Sequence, residues 1–221
     1  MATDAQRRPH VHHSDMDADE RARVVERSLR LEYISLGWNL VETVAGFVAG
    51  IAAGSVALVG FALDSVVEAS SAAALVWRLR NEGSRHWDVE SIERRAVRVV
   101  AVAFWVLAAY VGVRAVMDLI GREAPSETVP GIVIAAVSLI VMPVLAARKR
   151  MAARALDSRA LRADSDQTSL CTYISAFLLV GLGANALLGW WWADAAAALC
   201  IAVLAAREGY ELWTTEDFCA H

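Results

Sequence analysis

An all-α fold, an integral membrane protein of six transmembrane helices with both termini cytoplasmic, is what the sequence predicts, on three observations. The first is composition. Of 221 residues 57% are hydrophobic and eight are Trp, more apolar surface than a soluble domain of this length hides. The second is segmentation: apolar windows near the ~20 residues that cross a bilayer as helix recur at 33–54, 56–77, 99–117, 129–147, 167–188 and 190–206. The third is where the 21 basic residues fall, because short loops rich in Lys and Arg stay cytoplasmic. Clusters at 7–30, 78–98 and 148–162 precede span 1 and join spans 2 to 3 and 4 to 5, whereas the opposite side offers only Arg114 and Arg122. Each cluster abuts a span, so topology accounts for it and no nucleic-acid partner is expected. Abundant Arg with a single Lys suggests a GC-rich bacterial genome, hence a multi-pass protein of a bacterial inner membrane.

Taken in order, residues 1–29 read as a His-containing cytoplasmic tail. Its first twenty are polar and acidic without apolar period, a disordered composition, and His10, His12 and His13 beside Asp15 and Asp17 are weak metal donors. Span 1 is too long, and preceded by too many charges, for a signal peptide. Asn81 and Gly83 end span 2, and Asp88 is a good N-cap for the next helix. GREAPSETVPG, with Pro125 and Pro130, closes spans 3 and 4. Pro143 should kink span 4. The transmembrane domain is placed at 30–212 and a short cytoplasmic tail, with Cys219 and His221, at 213–221. No disulfide framework is indicated; Cys200, on an Ala-rich helix, reads as a packing residue.

Ionisable residues inside a span cost at least ~2.5 kcal/mol and face a cavity or a partner. Within FALDSVVEASS, Asp64 and Glu68 are four apart and share a helix face, at ~12 and ~18 Å from a boundary near Val56 given ~1.5 Å per residue. Span 1 adds Asn39 and Glu42, and span 5 a stripe of Asp164, Gln167, Cys171 and Ser175. No Lys or Arg is expected deep enough to neutralise the pair. Arg114 and Asp118 read as a local neutralising pair, and Asp194, after three Trp, as interfacial. Carboxylates, an amide and a thiol around a wet cavity suit a divalent cation, the thiol tilting preference toward zinc-like metals. Ligands shed protons to bind metal, so metal and proton compete for the same groups.

These residues resemble the cation diffusion facilitator family, in a divergent short form lacking its C-terminal cytoplasmic domain. The likeness runs through GSVALVGFALDSVVEASS, LRADSDQTSLCTYISAFLLVGL and GWWWADAAAALCIAVLAAREGYEL. It implies six spans with both termini inside, and a four-ligand site of two side chains from the second helix and two from the fifth. By position these are Asp64 and Glu68, with Gln167 and Cys171 where the family commonly has His and Asp; Glu42 or Asp164 would be recruited if Gln167 does not bind. The implied activity is efflux of a divalent metal, zinc foremost and cadmium, cobalt, nickel, iron or manganese as other candidates, by proton antiport with alternating access. The implied partners are that metal, protons, the bilayer, and a second copy through the transmembrane helices; neither a prosthetic group nor an enzymatic activity is expected. The alternatives are a transporter for another small cation and a membrane protein that binds metal or a partner without transporting. Counted from Leu188, Cys171 lies deeper than Glu68. Either span 5 bends near Gly181 and Gly183, or Gln167 and Asp164 form the cytoplasmic mouth.

Overall fold

The computed structural model describes residues 18–80 and 89–218. The tail histidines His10, His12 and His13, the helix start at Asp88, and Cys219 and His221 lie outside the described residues. Six helices follow one another: α1 (Ala18–Ala53), α2 (Val56–Arg80), α3 (Val89–Gly121), α4 (Val129–Ala155), α5 (Arg159–Leu188) and α6 (Ala193–Phe218). Helix α1 therefore begins twelve residues inside the stretch expected as tail, and α6 runs past residue 213.

Local chemistry fixes the ends. Thr128 caps α4 by accepting from the Gly131 N–H, with Pro130 in the first turn where its missing N–H costs nothing. Ser158 does the same for α5, accepting from the Leu161 N–H, and Gly189 ends that helix in the left-handed conformation at φ 66°. Gly54, at φ 69°, turns the chain from α1 into α2. Pro143 lies inside α4, which stays helical on both sides of it.

Among the described residues five helices, α1 to α5, can cross a membrane by length and composition; Arg207, Glu208 and Glu211 crowd the second half of α6. The faces confirm an apolar surround. Along the apolar part of α1 the exposed residues include Ile34, Leu40, Val41, Val44, Val48 and Ile51, while the buried polar stripe is Ser28, Glu32, Ser35, Asn39 and Glu42. Water would reverse that arrangement, whereas lipid makes it favourable.

Packing contacts join α1 to α2, α2 to α5, α5 to α4 and α4 back to α1, closing a four-helix ring, while α3 pairs with α6, both lean on α2, and α6 also packs on α5. Close approach of α1 and α2 depends on Gly46, where an added Cβ would stand 2.9 Å from the Ala62 Cβ. The main apolar core, with Phe61, Phe104, Leu107, Val111, Ile174, Leu178 and Ile201, lies largely between the ring and the α3–α6 pair. The ring's interior is polar.

Candidate functional site

Three levels of polar side chains stack inside the ring. The level nearer the α1–α2 turn centres on Glu42. Its Oε2 accepts from Ser65 Oγ at 3.0 Å, and its Oε1 accepts from Ser138 Oγ and from Trp38 Nε1. Ser175 Oγ in turn donates to Ser138 Oγ at 2.9 Å. All four ring helices are tied into this layer, α1 through Trp38 and Glu42 and α2, α4 and α5 through one serine each.

The level nearer the α4–α5 turn centres on Lys149. Its ammonium lies 2.7 Å from Asp164 Oδ2 and 3.1 Å from Glu32 Oε2, and Ser71 Oγ donates to Asp164 Oδ1 at 3.4 Å. Again each helix of the ring contributes one side chain. Glu32 and Glu42 are ~15 Å apart along α1 at ~1.5 Å per residue.

Between these layers sit Asn39, Asp64, Glu68, Gln167, Thr168 and Cys171, all buried. Thr168 Oγ1 donates to Glu68 Oε1 at 2.8 Å. The Cys171 thiol stands against both the Asp64 and the Glu68 carboxyls. Asp64 Oδ1, Glu68 Oε2, Gln167 Nε2 and both polar atoms of the Asn39 amide have no hydrogen-bond partner. Buried polar atoms are ordinarily satisfied, so a cluster of unsatisfied ones marks a place for water or an ion. The donors adjoin without forming a finished cage: among the described residues no group of three or more His, Cys, Asp or Glu is already arranged to hold a metal ion.

Of the six residues singled out in the sequence, the structure gathers Asp64, Glu68 and Cys171. It buries Gln167 beside Thr168 on α5, with its amide nitrogen unpartnered. It gives Glu42 three donors of its own, and Asp164 goes to Lys149. The expectation that no base lies deep enough fails. Helix α4 continues to Ala155 and carries Lys149 inward, fully buried, within electrostatic range of Glu68 as well as its two partners. Five buried carboxylates line the ring, at Glu32, Glu42, Asp64, Glu68 and Asp164, against this one ammonium.

Sequence reasoning passed over Lys149, Glu32, Thr168, Ser138 and Ser65. The signal for Lys149 was present, since it is the chain's only lysine among its basic residues. Two other expectations also change. Asp194 is buried, its carboxylate accepting from Ser55 Oγ and from the N–H groups of Val56 and Ala57. Cys200 is exposed. Arg114 and Asp118 do pair, at 3.5 Å.

Comparison with known proteins agrees with this architecture. Transmembrane protein 163 of Xenopus laevis is 29% identical over 139 residues, 63% of this chain and 49% of the relative. The chain thus spans about half the length of the curated relative it matches. Residues 33–215, from α1 into α6, match the cation efflux transmembrane domain. With most of its length covered by that domain, the chain belongs to the cation efflux family.

Proposed function

We propose that the protein moves a divalent transition-metal cation, zinc foremost, across the membrane in exchange for protons. The observation that carries this reading is the meeting of Asp64, Glu68 and Cys171 inside the ring with carboxylate oxygens left unpartnered. An apolar-walled site with an excess of carboxylates requires cations, and protons and a metal ion are the two kinds small enough to alternate there. Loading draws the two carboxylates and the thiol together around the ion, with Asn39 or Gln167 completing the oxygen set; the thiol favours zinc or cadmium over harder ions. Glu42 and Asp164 act beside the site, holding the layers that bound it. The basic clusters support an orientation with both termini inside, and in this reading the metal is exported from the cytoplasm of a bacterial cell.

The test is proton flux driven by a zinc gradient in proteoliposomes, compared between the parent chain and Asp64→Ala. Loss of flux in the variant is expected. Metal binding without any flux in the parent would make the protein a metal-binding membrane protein instead.

A further inference from the structure

We propose that Lys149 is a tethered counter-cation that locks the ring shut on the side of the α4–α5 turn, and that it must release Glu32 and Asp164 before the central site opens to that side. The proposal deepens the transport reading and rests on it for its purpose. Its geometry is independent: one ammonium joins α1 through Glu32 to α5 through Asp164 from its place on α4, while Ser71 brings in α2.

Two features show that this contact closes a mouth. Beyond it, toward the α4–α5 turn, Leu75, Leu79, Ala153, Leu156 and Leu161 form a separate apolar cluster, with Val24, Val25 and Leu29 packed against it. All four ring helices contribute to this plug, which keeps water from the ion pairs and leaves Lys149 with no exposure. On the inner side of the contact lie Ser35, fully buried on α1, and the hydrogen-bonded Glu68 and Thr168 of the central site. An ion travelling between the site and the α4–α5 side must therefore pass the place where the ammonium lies.

The choice of lysine fits the role. An ammonium is a compact point charge on a flexible four-carbon stem, able to swing between carboxylates, where a guanidinium would hold them in a fixed fork. A divalent ion arriving at Glu32 and Asp164 replaces the charge that Lys149 supplies, so the carboxylates stay compensated while the lock opens. Among the described residues, the layer at Glu42, Ser65, Ser138 and Ser175 is joined by hydroxyl hydrogen bonds and by no such cation. The two ends of the passage thus have different locks.

The experiment reads access to the Cys171 thiol. In a Cys200→Ser, Cys219→Ser chain freed of metal with EDTA, a membrane-impermeant methanethiosulfonate is applied to right-side-out and to inverted vesicles. In the parent, labelling from the α4–α5 side is expected to be slow. Lys149→Met should raise its rate tenfold or more, with labelling from the other side changed less than twofold. Removing a cation makes a nearby thiol harder to ionise and slower to react, so acceleration reports opening and not chemistry. Glu32→Gln and Ser71→Ala each loosen one anchor while leaving Lys149 opposite Asp164, and should accelerate labelling two- to fivefold even if Lys149→Met fails to fold. Rapid labelling of the parent from that side, or unchanged rates in the folded variants, would overturn the proposal. Because thiol access is read without flux, failure here is distinct from failure of the transport assay.

Discussion

Asp194, at the start of α6, accepts a 2.6 Å hydrogen bond from Ser55 Oγ, 139 residues earlier in the chain. Its second oxygen lies 3.1 and 3.4 Å from the Val56 and Ala57 N–H groups, so a residue of the last helix caps the helix that carries Asp64 and Glu68. A buried helix start needs partners for its free N–H groups. Asp194→Ala leaves them bare and should destabilise the fold by about 1–3 kcal/mol, seen as a lower melting temperature in detergent. Asp194→Asn keeps an acceptor and should lose less. Equal melting temperatures for all three chains would mean that the cap contributes nothing.

The acidic pair should tolerate neutralisation structurally and not functionally. Asp64→Asn or Glu68→Gln removes a charge that the membrane disfavours, so expression should hold or rise. Zinc uptake into inverted vesicles should fall at least tenfold in each. Normal uptake by both variants would remove the pair from the transport site.

Replacing the soft donor should change selectivity more than capacity. Cys171→Asp puts a hard oxygen where a thiol stands against both carboxylates, so zinc and cadmium affinity should drop relative to manganese by roughly tenfold, about 1.4 kcal/mol. Competition titration of the purified chain with the three metals checks this. An unaltered ratio would place Cys171 outside the ligand set.

How far the sequence disclosed this site depends on what each residue's neighbours look like. Asp64 and Glu68 stand out because apolar residues flank them, and the stripe of Asp164, Gln167, Cys171 and Ser175 was legible at helical spacing; all four are buried. Lys149 was hidden by Arg148 and Arg150, since a basic triplet at the end of an apolar window reads as a loop. Only the continuation of α4 to Ala155 turns its middle member inward. Glu32 was missed for a similar reason. The apolar window begins at 33, but the buried polar stripe of α1 already starts at Ser28. The apparent mismatch in depth between Cys171 and Glu68 came from levelling the ends of α5 and α2. The last turns of α5 reach the α3–α4 turn, where Asn185 Nδ2 donates to the Pro125 carbonyl at 3.0 Å, and Cys171 stands against Asp64 and Glu68 from within α5.

Proton exchange is the final expectation, and its sign follows from which form binds. Metal binds carboxylates and thiols in their deprotonated forms. In the exchange proposed above, Asp64 Oδ1 and Glu68 Oε2, which have no partner in the protein, carry protons when no metal is bound and yield them to the ion. Metal binding should therefore release protons, and apparent affinity should fall as pH falls, because protons then compete more strongly for the same oxygens. The measurement is calorimetric titration with zinc at pH 6 and pH 8, each in two buffers of different ionisation enthalpy. The heat should depend on the buffer, with more than one proton released per ion if both carboxyls begin protonated. Asp64→Asn should reduce that number by about one, since one exchangeable proton has been removed. Heats independent of buffer at both pH values would mean that no proton leaves on binding, and coupling through these residues would then have no physical basis.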